Sequence, residues 1–366
     1  MERFGFADQR WPLSRLSRHR RRGWPLGGWC RRSGKSAIYF ERALDDRVIT
    51  TRIPRKDHLE KTASINHNGS TSNRQDELMA DAKKAVPENV AGDYFVDSTC
   101  INCDTCRQLA RSTFKDEGDY SFVFHQPQTE AEMYAATRAL LSCPTGSIGT
   151  RGTNLASTVM PTLPMQLDDN VFYCGFNSED SFGANSYFIQ HQDGCWLIDS
   201  PKYNAHLIKQ IEKMGGIKYI FLTHRDDVAD ANKYAERFGA KRIIHVDELD
   251  AAPESEIVIN GSEDSSFAED FKIIPVPGHT RGHMVLLFKD RYLFTGDHLA
   301  YDPEIKSLEA FRRHCWYSWP EQIKSMTKLL EYRFEWVLAG HGDRVHLPAQ
   351  EMHAKLLRLL EWMKEA

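Results

Sequence analysis

The 366-residue chain is 41% hydrophobic, which is enough to build two domains with a buried core. Its net charge of −4 hides an asymmetry, because residues 1–78 carry 17 basic and 9 acidic side chains and the remainder is net −12. An acidic body lacks the clustered Lys and Arg that grip phosphates, so no nucleic-acid partner is expected. No apolar stretch is long enough to cross a bilayer and no secretory signal is recognisable, so we expect a cytoplasmic protein without a membrane partner.

Residues 1–78 are predicted to be a disordered, Arg-rich leader, since they show no sustained helical or strand period. One interpretation is an organelle transit peptide over residues 1–35, which would place the protein in an organelle matrix. The other is that Met79 is the natural start and the upstream stretch is an over-extended reading frame or a tail. Five acidic residues favour the second interpretation: Glu41, Asp45, Asp46, Asp57 and Glu60.

Residues 79–150 are predicted to form a small α+β domain around a cysteine motif. A strand over 93–97 leads into a C-x2-C-x2-C run, and a helix over 129–141 leads into a fourth cysteine followed by proline. The four cysteines are Cys100, Cys103, Cys106 and Cys143. The spacing matches the bacterial ferredoxin run, so the segment resembles small single-cluster ferredoxins and is expected to hold one [4Fe-4S] cluster. A four-cysteine zinc site and disulfides are the competing interpretations.

Residues 151–170, which contain Pro161 and Pro164, are predicted to be a linker. Strands and helices then alternate from residue 171 to the C-terminus. Strands are predicted over 187–189, 195–199, 219–223, 271–276, 285–288, 292–295 and 336–339. Helices are predicted over 203–214, 228–238, 320–332 and 349–364. This alternation is typical of an α/β fold with helices packed outside the sheets.

Four short segments of this half place a histidine or an aspartate directly after an apolar run. They carry His224, His279, Asp297 and His341. Imidazole and carboxylate groups hold zinc or iron while leaving a coordination position open for water. The four segments together therefore predict a metal site at the strand ends.

In these segments, Thr-His224, Pro-Gly-His279-Thr, Gly-Asp297 and Gly-His341-Gly, the chain resembles the metallo-β-lactamase-fold hydrolases over residues 171–366. The resemblance implies an αββα sandwich. It also implies that Asp297 bridges two metals, which are served separately by His279 and His341.

The first motif departs from the family pattern, because Val228 and Ala229 stand where the family has Asp-His. Two extra residues in the register place Asp230 at the Asp position, and Asp226 or Asp227 must then replace the second histidine. A helix beginning near Asp226 would put Asp226 and Asp230 on one face, with Asp227 turned away as a helix cap.

The expected ligands form two sets. The first set would be His224, Asp226, His279 and Asp297, and the second would be Asp230, Asp297 and His341. One or two zinc ions are expected, with iron or manganese as alternatives. Asp230 is the candidate base that orients water, and His283 is the candidate substrate-facing or ligand-supporting group, as is His298.

The resemblance implies a metal-dependent hydrolase acting on a small molecule with an ester, thioester, lactone or similar bond. In this hypothesis the metal lowers the pKa of its water and polarises the scissile bond. A second hypothesis is an iron-dependent redox enzyme supplied with electrons by the ferredoxin-like domain and a redox partner protein. A third is an inactive scaffold. The sequence leaves the oligomeric state open.

Overall fold

Two stacked β-sheets form the larger part of the structure, a computed structural model that describes residues 80–366. The predicted leader and the candidate start Met79 lie outside the described residues. All described residues lie in a single compact unit. None of the helices in this range is long and apolar enough to cross a membrane.

The cysteine-rich segment forms a small α+β layer at the start of the described chain. Strand β1 pairs antiparallel with β4, and β2 pairs antiparallel with β3. The elements are β1 (Tyr94–Val96), α1 (Thr105–Leu109), β2 (Phe114–Asp116), β3 (Ser121–Val123), α2 (Glu130–Ser142) and β4 (Ile148–Thr150). Helix α2 begins with a capping box, in which Thr129 and Glu132 satisfy each other's backbone N–H groups. Its inner face packs on Tyr94, Val96 and Phe114.

The first sheet of the sandwich has seven strands, and each strand lies beside its neighbours in the chain. They follow the short helix α3 (Ala156–Val159) and are β5 (Met165–Asp168), β6 (Val171–Tyr173), β7 (Tyr187–Ile189), β8 (Trp196–Ile198), β9 (Tyr219–Phe221), β10 (Lys241–His245) and β11 (Ile257–Ile259). Pairs from β5 to β8 are antiparallel and pairs from β8 to β11 are parallel. Helices α4 (Ala205–Lys213) and α5 (Ala231–Phe238) connect the parallel strands.

The second sheet has six strands in the order β12-β13-β14-β15-β18-β19, and only the β15–β18 pair is parallel. The strands are β12 (Ser265–Ala268), β13 (Phe271–Pro275), β14 (Met284–Phe288), β15 (Tyr292–Gly296), β18 (Trp336–Ala339) and β19 (Val345–His346). A hairpin of β16 (Ala300–Asp302) and β17 (Ser307–Glu309) lies beside it. Helices α6 (Trp319–Lys328) and α7 (Ala349–Glu365) complete the chain.

Successive side chains of each strand point to opposite faces of the sheet, so the hydrophobic core is divided into layers. In β8, Leu197 packs under α4 and α5, whereas Trp196 and Ile198 point between the sheets. Trp196 stacks on Phe271 of the second sheet with ring centroids 4.3 Å apart. A third layer lies between the second sheet and helices α6 and α7. The predicted αββα sandwich, preceded by a small α+β ferredoxin-like region, is therefore confirmed.

Two of the differences between predicted and observed boundaries bear on the fold and the site. The expected linker over 151–170 contains β5, which pairs with β6 and so belongs to the first sheet. The helix expected from residue 228 begins only at Ala231. A 3-10 turn spans Arg225–Asp227, and Ala229 then takes a left-handed φ of 35°, which interrupts the helical path.

Candidate active site and metal centre

Three side chains meet where strands of both sheets end. His224 follows β9, His279 follows β13, and Asp297 follows β15. Asp297 Oδ2 lies 3.7 Å from Nε2 of His224 and 3.7 Å from Nε2 of His279. The three groups have their ligand atoms within 4.8 Å of one another, so they can hold one cation.

A second group shares Asp297. Asp227, Asp297 and His341 also place one ligand atom each within 4.8 Å of the others. Asp297 turns its Oδ1 to this side, 2.7 Å from Nδ1 of His341, while its Oδ2 faces the first group. One carboxylate therefore stands between two potential cation positions.

Unpartnered buried atoms test whether these residues fit a metal. Nε2 of His224, Nε2 of His279 and both carboxylate oxygens of Asp227 are buried without a hydrogen-bond partner. A buried polar atom that makes no bond costs about 1–3 kcal/mol, so the gathering of four such atoms in one centre favours a bound cation. Imidazole nitrogens and carboxylate oxygens suit zinc, iron or manganese, and the residues therefore fit a metal.

The proton on His224 is positioned by a relay behind the ring. Thr223 Oγ1 donates to Asp199, at 3.0 Å from each carboxylate oxygen, and can therefore accept a hydrogen bond from His224 Nδ1 across 3.0 Å. The lone pair on His224 Nε2 then points at Asp297 and His279. Hydrogen bonds of this kind fix the tautomer of a metal-binding histidine.

Asp199 was not among the predicted site residues, although it directly follows the apolar strand β8. It carries the same signal that identified His224 and Asp297. Its side chain is buried, its φ is 53°, and Thr223 N donates to its Oδ1 over 2.8 Å. Asp199 therefore holds Thr223, the residue before the metal-binding candidate His224, in place.

Asp226 and Asp227 occupy different parts of the centre. Asp226 Oδ2 lies 3.7 Å from Nε2 of both His224 and His279, and its side chain is 47% exposed to the cavity. Asp227, expected to turn away as a helix cap, is instead fully buried within the second group. The reason is the 3-10 turn over Arg225–Asp227, which replaces the α-helical start on which that expectation depended.

Asp230 does not join the site, in contrast to the prediction that it serves as a ligand or a base. Its Oδ2 accepts a 2.7 Å hydrogen bond from Tyr203 N, and its Oδ1 pairs with Lys233 Nζ at 2.7 Å. The left-handed Ala229 separates it from the turn that carries Asp226. Its carboxylate therefore joins the backbone before α4 to the start of α5.

His283 and His298 lie beneath the ligands rather than among them. His283 is buried, stacks on His224 with ring centroids 4.8 Å apart, and accepts a 3.3 Å hydrogen bond from Asp297 N at its Nε2. His298 is buried with its ring 5.7 Å from that of His283. Neither residue belongs to the two ligand groups.

Burial and like charges dominate the electrostatics. Burial lowers the pKa of His224 to about 4, so its ring is neutral at pH 7. Burial, reinforced by the charge of Asp297, raises the pKa of Asp227 well above its usual value. It also raises the pKa of Asp199 to about 8, against the opposing hydrogen bonds from Thr223. A cation would offset the repulsion among these three carboxylates.

The centre opens into a cavity of about 1290 Å³. Asp226, His279 and His341 line its floor, and Asn102 to Asp104 of the cysteine loop line one wall. Two aromatic side chains are exposed beside the floor. The Phe182 ring lies 6.2 Å from the His341 ring, and the Trp316 ring lies 6.3 Å from the His279 ring. The cavity can therefore receive a small molecule with an apolar portion.

The four cysteines of the predicted cluster site also converge. Cys100, Cys103, Cys106 and Cys143 line one small cavity, and none of them forms a disulfide. Backbone N–H groups of Asn102 and Ser121 each donate to Cys100 Sγ over 3.4 Å, and Ser147 N donates to Cys143 Sγ over 3.3 Å. Cysteines that line one cavity and whose sulfur atoms accept backbone hydrogen bonds fit an iron–sulfur cluster.

Comparison with protein-family models decides the family. The model described as "Metallo-beta-lactamase superfamily" matches residues 165–358, more than half of the chain. The chain belongs to the metallo-β-lactamase superfamily. A second model, "4Fe-4S single cluster domain of Ferredoxin I", matches residues 96–150 and so covers all four cysteines.

Relatives of this metallo-β-lactamase superfamily member include two curated proteins. Over 109 residues it is 37% identical to a hydroxyacylglutathione hydrolase of Pelagibacter ubique (strain HTCC1062). This alignment covers 28% of this chain and 45% of the relative. Over 187 residues it is 27% identical to the beta-lactamase-like protein 2 homolog of Drosophila melanogaster. This second alignment covers 45% of this chain and 61% of the relative. The chain thus spans about half the length of the curated relatives that it matches.

Among solved structures, it is similar to the FIM-1 metallo-beta-lactamase from Pseudomonas aeruginosa in its mono-zinc form. That match has a TM-score of 0.41 and 16% identity, and it covers 54% of this chain and 93% of FIM-1.

Proposed function

We propose that the protein is a metal-dependent hydrolase. The observation that carries the proposal is the convergence of His224 Nε2, His279 Nε2 and Asp297 Oδ2 at the floor of an open cavity, with both imidazole nitrogens buried and without a hydrogen-bond partner. These three residues would hold one ion, and Asp227, Asp297 and His341 would hold a second. When bound, such ions lower the pKa of water and polarise a scissile carbonyl.

The proposed roles of Asp226 and His283 rest on their positions beside the ligands. Asp226 is the one carboxylate beside both histidines that is half exposed to the cavity, so it would orient the attacking water and accept its proton. In this role it replaces Asp230, whose carboxylate is bonded elsewhere. His283 would hold the Asp297 backbone through its 3.3 Å hydrogen bond and thereby set the direction of the shared carboxylate.

The substrate is proposed to be an ester, thioester, lactone or similar compound. The relatives named hydroxyacylglutathione hydrolase make acyl-glutathione thioesters the first compounds to test. Phe182 and Trp316 are exposed on either side of the centre and would pack against the apolar part of such a molecule.

The cysteine-rich region is proposed to hold one [4Fe-4S] cluster through Cys100, Cys103, Cys106 and Cys143. The supporting features are the convergence of the four sulfur atoms and the family match over residues 96–150.

Hydrolysis is tested with anaerobically purified protein loaded in turn with zinc, iron or manganese. Acyl-glutathione thioesters, simple esters and lactones are assayed for metal-dependent product formation. We expect Asp226→Asn to lower kcat by on the order of 100-fold, as loss of a general base does. Asp193→Asn changes an exposed aspartate in the turn between β7 and β8 and serves as the control. Fully metal-loaded protein that cleaves none of these bonds would refute the proposal.

A further inference from the structure

The cysteine loop touches the hydrolase part at Gly183. A Cβ at this position would lie 2.8 Å from Sγ and 2.8 Å from Cβ of Cys103, and Gly183 has a φ of +83°. Thr105 Oγ1 donates to Gly183 O over 3.1 Å, and Asn177 Nδ2 donates to the same oxygen over 2.7 Å. The contact is therefore closely packed and held by buried hydrogen bonds.

Phe182, the residue before Gly183, contacts the metal centre through its backbone oxygen. His341 Nε2 lies 3.4 Å from Phe182 O, and His341 Nδ1 lies 2.7 Å from Asp297 Oδ1. The backbone of Phe182 and Gly183 therefore joins the imidazole of His341 to a position that is packed against the Cys103 side chain. Electron tunnelling weakens steeply with distance and is favoured along covalent and hydrogen bonds, which this connection provides.

We propose that Cys103, Gly183, Phe182 and His341 form an electron route from the cluster to the metal centre. An external one-electron reductant, such as a low-potential electron-carrier protein, reduces the cluster by one electron. From His341 the electron would pass through Asp297, whose Oδ1 lies 2.7 Å from His341 Nδ1 and whose Oδ2 faces the first group, to a ferric ion held by His224, His279 and Asp297. That ion would become ferrous. The two-histidine and carboxylate donor set accepts iron. This transfer needs no hydrolytic step, so it stands or falls independently of the hydrolase proposal.

The test compares two metals in the same protein. Anaerobic protein with an intact cluster is loaded at the metal centre with ferric iron or with redox-silent zinc, and one equivalent of dithionite is added. Electron paramagnetic resonance then follows both centres in samples frozen over time. With zinc, the reduced-cluster signal should persist. With iron, it should decay while the ferric signal is lost in equal amount. Persistence of reduced cluster beside ferric iron, or a centre that takes up no iron, would overturn the proposal.

A pair of glycine variants tests the route. Gly183→Ala places a methyl group against Cys103, whereas Gly261→Ala imposes nearly the same backbone strain, at φ +82°, with nothing within 4 Å of the new Cβ. Gly183→Ala should slow the loss of the ferric signal and shift the cluster's reduction potential, and Gly261→Ala should change neither. Equal transfer rates in both variants would rule out this route. If Gly183→Ala loses the cluster, the iron and zinc comparison in the unaltered protein still decides whether transfer occurs.

Discussion

Gly340 approaches Asp227 so closely that a Cβ at position 340 would lie 2.9 Å from Asp227 Oδ2. The same Cβ would lie 2.9 Å from Asp297 Oδ1. The backbone at the end of β18 thus closes one side of the second ligand group, and only glycine leaves room for both carboxylates.

Gly340→Ala should therefore displace the Asp227 and Asp297 carboxylates and lower the metal content by up to one ion per chain. Metal analysis after dialysis measures the loss. Gly152→Ala is the matched control, because its new Cβ would meet only Asp93 Oδ1, at 3.7 Å. A Gly340→Ala protein with the metal content of the unaltered protein would show that binding at the second group does not depend on this close approach.

The aspartates of the first motif should separate into two classes. Asp227→Asn should weaken metal binding tens-fold or more, because ligands matter at least as much as the groups that support them. Asp230→Asn should leave metal binding unchanged and cost about 1.5 kcal/mol of stability, through weaker bonds to Tyr203 N and Lys233. Metal titration and thermal unfolding of the two variants distinguish these effects. Loss of metal from Asp230→Asn alone would restore the assignment first expected from the sequence.

The cluster cysteines can be separated from the other free thiols. Anaerobic protein should be brown and contain iron and sulfide in about equal amounts at this site, as cluster stoichiometry requires. Cys143→Ser should lose this colour, whereas Cys315→Ser should keep it, because Cys315 Sγ only donates to Gly278 O over 3.1 Å. Tightly bound zinc at the four cysteines of colourless protein would contradict the assignment.

Asn177 joins the two parts of the described chain. Its Oδ1 accepts from Tyr173 OH over 2.8 Å, and its Nδ2 donates to Gly183 O and, over 3.2 Å, to Thr105 Oγ1. Asn177→Ala should cost about 2 kcal/mol, because buried polar groups lose their partner. Asn260→Ala, at an exposed position, is the control. Calorimetry should show a lower unfolding temperature for the first variant alone, and an unchanged temperature would mean that this amide contributes nothing to the contact.

Most elements could be predicted from local patterns. The helix expected over 349–364 is α7, whose buried Met352, Leu356, Leu359 and Met363 recur at helical spacing. The strands expected over 285–288 and 292–295 are β14 and β15, and Lys289 and Asp290 between them have positive φ as a tight turn requires. The boundary near Asp226 could not be predicted, since a 3-10 turn and an α-helix begin with the same residue types.

In the candidate site, too, some residues could be predicted from local patterns and others could not. His224, His279, Asp297 and His341 were recognisable in the chain because each follows a buried strand or a glycine turn, and strand ends meet at one edge of a sandwich. Which aspartate faces the centre was not recognisable, because a left-handed φ at Ala229 redirects the chain by an amount that residue type does not encode. The contact between Cys103 and Gly183 joins positions 80 residues apart, and it exists because the ferredoxin-like region packs against the sandwich. Long-range packing of this kind depends on the shapes of two folded surfaces, which no local pattern in the chain specifies.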